Sequence, residues 1–241
     1  YEQKSKGFLS LADGLDFFLT EQGPTNPKAE YEFSKKLVLN QDPTFRKDFP
    51  LRYKRLAKHL ALPYEPLVFS NPEVVSVVMG FPNRYMANPS SMFGHNLLIL
   101  KSKNGLLDSD ILHYIAERDG STSFSFLYNG LTGKFKGTFL QEPYYKKIKY
   151  YNHQEDRDVI YYDMDLSSDQ VEDLQLHAVE LKKTHFDYRF MDENCGFFMG
   201  KLLNVILPNP VVGHPVITLP SDIIKNLDKQ GLLKNETLRP S

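Results

Sequence analysis

The chain predicts an α+β fold, a bent antiparallel sheet packed against helices and preceded by a helical N-terminal region. Three observations lead there. The first sixty residues carry helical spacing, the period changes to two from about residue 92, and two amphipathic stretches follow residue 166.

The first ninety residues are punctuated by proline. "SKGFLSLADGLDFFL" (5–19) and "DFPLRYKRLAKHLAL" (48–62) are spaced as helices, the second with Leu51, Leu56 and Leu60 on a common face. Pro63, Pro66, Pro72 and Pro82 then predict loop, interrupted by a short buried "VVSVVM". Five strands are expected next: 95–101, 110–117, 121–130, 133–142 and 158–166. In the last, Ile160, Tyr162, Met164 and Leu166 alternate with Tyr161, Asp163 and Asp165, as on a half-buried strand. "KNG" and "NGLTG" read as hairpin turns. The run "YYKKIKYYN" (144–152) reads as a solvated strand edge.

Ser167, three residues before Gln170, opens a helix with a capping box, and Val171, Leu174, Ala178 and Leu181 form its apolar stripe. A second helix is expected from Cys195 to Ile206, stopped by Pro208. Ser221 is placed to cap a last short one that ends at Gly231. No linker stands out, so residues 1–241 read as one domain: an N-terminal region (1–90), a core (91–207) and a C-terminal extension (208–241).

Composition excludes several classes. A formal net charge of -1 lacks the basic excess of a nucleic-acid binder. No apolar run reaches the ~18 residues that span a bilayer. One cysteine and scattered histidines give no metal-ligand spacing, so neither a metal nor another cofactor is expected. Tyr1 is not a native start, which leaves room for a leader ahead of it.

The lone thiol carries the chemistry. With Asn194 as N-cap, Cys195 falls at the first helical position, among unsatisfied N–H donors at the positive end of the dipole. Such a position lowers a thiol pKa and offers donors to an oxyanion, and small Gly196 leaves room for a substrate. The plain alternative is a buried cysteine that packs as a small hydrophobe. A thiol nucleophile needs a base. Of seven histidines, His59 and His177 read as surface residues and His153, His185 and His214 as loop residues. His95 opens a strand directly after Gly94, and His113 lies on the next strand in phase with Ile111 and Ile115. His113 can orient His95, or be a core histidine bonded to a carbonyl.

"NPSSMFGHNLLIL", "GKFKGTFLQEPYYKKIKYYNHQEDRD", "YYDMDLSSDQVEDLQLHAVEL" and "YRFMDENCGFFMGKLL" resemble the bacterial Lnb N-terminal periplasmic domain family, over about residues 43 to 230. That family resembles permuted papain-like enzymes of the NlpC type, in which the histidine strand precedes the cysteine helix. The resemblance implies Cys195 as nucleophile, His95 as base and His113 as orienting residue, with Asp108 competing for the third place. It implies Ser90 and Ser91 as cleft residues, which capping explains equally, beside Asn194 and Tyr188; the Tyr188 hydroxyl can donate to an acyl oxygen, though packing is the preferred reading. Glu155 and Arg157 match a family motif and read as a structural ion pair. The implied function is transfer of an acyl group from a lipid or lipoprotein ester, through a Cys thioester, to an amine such as a lipoprotein N-terminus. The implied setting is a membrane surface in the periplasm. Relatives known as lipoprotein N-acyltransferases continue into membrane helices, so this chain is expected to be an excised domain or a stand-alone relative. A peptidase or amidase acting on cell-wall peptides uses the same dyad, and a binding module with a structural thiol is the non-enzymatic rival.

Overall fold

Asn26 and Asp42 start the first two helices. Their side chains accept the N–H groups of Ala29 and Phe45, and a proline follows each cap, so α1 (Pro27–Leu39) and α2 (Pro43–Asp48) begin on capped, pre-set backbone. With α3 (Pro50–His59) they bury Val38, Phe45, Phe49, Tyr53 and Ala57 in one cluster. The computed structural model describes residues 1–5, 7–65, 73–83, 94–117, 123–151, 155–213 and 217–241, and divides into two compact units. These helices belong to the first unit, Tyr1–Asn71 with Gln175–Asp187. The expected helix at 5–19 does not form. Its place is taken by a strand pair, β1 (Glu2–Lys4) with β2 (Gly7–Leu9), and one 3₁₀ turn at Leu15–Phe17. Gly7 at φ +132 and the extended Gly14 break the helical period.

The second unit, Pro72–Leu174 with Tyr188–Ser241, is built on a sheet. The strands are β3 (Val74–Pro82), β4 (Leu97–Ser102), β5 (Gly105–Ala116), β6 (Phe135–Pro143), β7 (Val159–Met164), β8 (Phe186–Tyr188, of which only Tyr188 falls in this unit) and β9 (Leu233–Arg239), in the order β8-β6-β5-β4-β3-β7-β9. The registered pairings from β6 to β9 are all antiparallel. The fold is therefore α+β, as the period change implied. "KNG" makes the β4–β5 hairpin, with Gly105 at φ +111.

Several local expectations fail for physical reasons. Residues 123–132 are a helix, α4 (Ser123–Thr132), not a strand. "NGLTG" is its C-terminus: Gly133 at φ +75 lets the Lys134 N–H return to Asn129 O at 3.0 Å. The basic, aromatic run is likewise helical, α5 (Tyr144–Tyr150), started after Pro143. Tyr144, Ile148 and Tyr151 fall on one face of it and join Val78, Leu97, Ile99, Ile111, Val159 and Tyr161 in the core on one side of the sheet. On β7 it is thus Val159 and Tyr161 that enter this core, while of the set expected to be buried Met164 is buried and Ile160 and Tyr162 are half-buried. β3 is a full strand held between β4 and β7. β9 escapes sequence reading because "LKNETLR" is polar and lies on an exposed edge.

Helix α6 (Ser168–Leu181) has the predicted box: Ser167 N–H donates to Gln170 Oε1 at 2.9 Å, and Gln170 N–H to Ser167 Oγ at 3.3 Å. Its residues from Gln175 onward belong to the first unit. Helix α7 (Cys195–Ile206) has the predicted bounds, and its Phe198 packs on Tyr114 of β5 with ring centres 4.6 Å apart. Helix α8 (Pro220–Lys229) starts one residue before Ser221. Pro220 takes the first position, and the Leu219 N–H donates to Asp222 at 3.0 Å.

Candidate active site at the start of the cysteine helix

Asn194 is the N-cap of α7, and every polar atom of its side chain is occupied. Oδ1 accepts the Phe197 N–H at 3.2 Å, while Nδ2 donates to Phe190 O at 3.0 Å and Thr218 O at 2.7 Å. It shapes the helix start and has no group left for a substrate. The space beside Gly196 is also filled: a Cβ there would stand 3.0 Å from both Pro220 N and Pro220 Cα. Gly196 thus admits the first residue of α8, not a ligand.

Cys195 is 3% exposed, and its sulfur is reached by the N–H groups of Cys195, Gly196 and Asn96. These donors favour the thiolate, but burial outweighs them and pushes the thiol up to about 11. The lowered pKa expected from the helix dipole is not realised. A dipole of about half a charge cannot offset the loss of water around a fully enclosed sulfur.

Asn96 immediately follows His95, so the residue chain that presents the imidazole also brings a donor to the sulfur. Asn96 is fixed by its own Nδ2, which donates to Pro220 O at 3.0 Å. His95 is half-buried just ahead of β4, and its Nε2 lies 3.4 Å from Nδ1 of His113, the rings meeting edge-on at 83°. His113 is fully buried on β5, opposite Leu97 of β4. Its other nitrogen, Nε2, is 3.0 Å from Oε1 of Glu142, a short contact without straight hydrogen-bond geometry. Lys147 Nζ lies 3.6 Å from the same oxygen. Burial holds His95 well below the usual imidazole range, and the charges of His113, Lys147 and Arg157 add to it. Burial lowers His113 as well, against the pull of Glu142. The resting pair is a neutral thiol and a neutral imidazole.

Cys195, His95, Asn96, His113 and Glu142 are thus gathered at one end of the sheet. Asp108 is not among them: it is exposed, five residues back along β5, roughly 16 Å away at 3.3 Å per residue. Tyr188 is buried, stacked on Tyr114 at 5.7 Å, and its hydroxyl takes the Cys195 N–H. It packs and braces the helix start. Ser90 and Ser91 lie outside the described residues, as do His153 and His214. Glu155 and Arg157 form the buried ion pair that their spacing suggested, at 2.8 Å. Arg157 also donates to Asn83 O and Pro82 O, fastening the end of β3. His177, read as a surface residue, instead has Nδ1 3.1 Å from the buried carboxylate of Glu180.

Glu142 escaped the sequence reading. It ends a strand of ordinary alternation, and only the register Ile111↔Glu142 sets it diagonally beside His113. Among the described residues, no group of three His, Cys, Asp or Glu side chains converges as a metal ion requires, and no helix is long and apolar enough to cross a membrane.

No curated protein and no solved structure matches the chain. A family model, described as the Lnb N-terminal periplasmic domain, matches residues 68–230, which hold all of the gathered residues and more than half of the chain. The chain belongs to the Lnb N-terminal periplasmic domain family, which places it in the periplasm.

Proposed function

We propose that this domain is a thiol acyltransferase that moves an acyl group from a lipid or lipoprotein ester to an amine, the amino terminus of a lipoprotein. One observation carries the reading: the Asn96 N–H meets the Cys195 sulfur while the preceding residue, His95, leads into a His–His–Glu series. A structural thiol would need no such neighbour.

The chemistry follows from the neutral pair. Sulfur attacks the ester carbonyl as its proton passes to His95 Nδ1, the ring nitrogen not turned to His113. The Gly196 and Asn96 N–H groups that now reach the sulfur supply donors for the oxygen that becomes negative. The C–O bond breaks, the leaving alcohol takes the proton from His95, and a thioester remains. An amine then attacks the thioester, gives its proton to His95, and releases the thiol, which takes that proton back. Splitting an ester-to-amide exchange into two acyl transfers lowers each barrier. Leu140, directly opposite His113 on β6, keeps 40% of its surface exposed and offers apolar ground to an acyl chain. A lipid substrate would bring the domain to the membrane surface.

Incubation with a diacyl lipopeptide and phospholipid vesicles, read by mass, tests this. N-acylated lipopeptide together with an acyl adduct on Cys195 is expected. Cleavage of a cell-wall stem peptide with no acyl product would replace this reading with the amidase one.

A further inference from the structure

We propose that Glu142 is a positioning residue that fixes the tautomers of both histidines, so that His95 presents an unprotonated Nδ1 to the thiol. The inference gives a mechanism to the Cys195–His95 reading, and its first test does not depend on that reading.

The argument is one of lone pairs. Oε1 of Glu142 stands 3.0 Å from His113 Nε2, with Lys147 on the same oxygen at 3.6 Å. A carboxylate oxygen 3.0 Å from Nε2, even off the axis of its lone pair, favours the positive end of an N–H there over a lone pair, so the proton of neutral His113 belongs on Nε2. His113 Nδ1 is then an acceptor. Across 3.4 Å it faces Nε2 of His95, which must carry the proton so that two lone pairs do not meet. One proton per neutral ring leaves His95 Nδ1 with its lone pair free. Without Glu142, nothing described around His113 chooses between its two nitrogens. The reverse tautomer would set N–H against N–H, or turn His95 into a donor towards the sulfur. The sheet supplies the alignment: His113 pairs with Leu97, two residues beyond His95, while Glu142 pairs with Ile111, two residues before His113.

Long-range proton–nitrogen correlation spectra of the ¹⁵N-labelled protein at pH 7.5 read the tautomers directly. The expected result is a proton on Nε2 of both rings, lost as a single tautomer at His113 in Glu142→Leu and kept in Lys147→Met. A proton on His113 Nδ1 in the unmodified protein overturns the proposal even if no variant folds. So does a Glu142→Leu protein that retains the Nε2–H form. As a second readout, acylation of Cys195 by a p-nitrophenyl ester should fall roughly tenfold to hundredfold in Glu142→Leu, the usual cost of losing an orienting partner. It should stay at the starting rate in Lys147→Met. If His95→Ala acylates at the unmodified rate, the Cys195–His95 reading falls while the tautomer result stands.

Discussion

In the first unit Glu180 is buried against a backbone N–H and a histidine; in the second, Glu142 lies against a histidine that continues to another. The starting materials match, and the endings differ. Glu180 Oε1 accepts the Arg52 N–H at 2.8 Å, and its Oε2 is 3.1 Å from His177 Nδ1. Arg52 goes on to Glu30 Oε1 at 3.2 Å and Phe17 O at 2.9 Å, and Glu30 also takes the N–H groups of Leu19 and Thr20. Each bond returns to backbone or to an opposite charge, so the network closes and holds a shape. In the second unit the series ends on a half-buried imidazole whose next residue, Asn96, brings its N–H to a buried thiol, and Asn96 Oδ1 is buried with no hydrogen-bond partner among the described residues. A buried polar series that finds no closing partner among the described residues costs stability, which is in keeping with the proposed use of the thiol and imidazole.

Removing the end of the open series should have the largest effect. Cys195→Ala is expected to abolish the acyl adduct and lower turnover by on the order of 10⁶, as loss of a nucleophile does. His95→Ala should cost roughly 10²–10⁴. Both are read as N-acylated lipopeptide per minute, and full activity in either variant would erase the distinction between the two networks.

A cut in the closed network should act on stability. Glu180→Ala leaves the Arg52 N–H and the His177 ring without their acceptor, at roughly 1–3 kcal/mol for each orphaned group. The urea midpoint of the first unit should fall accordingly. An unchanged midpoint would mean that Glu180 closes nothing.

How legible this was depends on what fixes each residue. The cysteine helix was readable to the residue, because its cap, its apolar face and its proline stop are all local. So was the capping box at Ser167 and Gln170, and so was the candidacy of His95 and His113, since strand phase set them apart. The helices at 123–132 and 144–150 were not, because aromatic and serine-rich stretches satisfy a strand template until tertiary packing chooses. Glu142 was invisible for another reason: a diagonal contact across strands depends on register, which no single strand encodes. The thiol pKa was misread because the dipole is a local property and burial is not.

Burial of the open series should itself appear in the pH dependence of stability. Cys195 ordinarily titrates near 9 and in the fold near 11. Between those values the native state holds a proton that the unfolded chain has lost, so stability falls as pH rises through this window. The full loss is about 3 kcal/mol for the two-unit shift. It is complete stability below pH 9 that Cys195→Ser should extend upward, measured as urea midpoints from pH 8 to 11. A midpoint that stays level in the unmodified protein would mean the sulfur is wet.

The smallest effect sharpens the comparison from the other side, through the acid limb of kcat/KM for acyl transfer. With His95 as the proposed base, that limb is the titration of His95 in the free protein. Because His95 is held well below its ordinary range, the limb should lie below pH 6.5, with activity level above it. Burial is the main cause, followed by the charges of His113, Lys147 and Arg157. Lys147→Met removes one cation and leaves burial intact, so protonating His95 becomes easier. The limb should move upward, towards 6.5 and short of it, while the plateau rate stays unchanged. A downward move would mean that Lys147 acts on His95 chiefly by holding Glu142 in place, so that its loss lets the carboxylate leave the histidines.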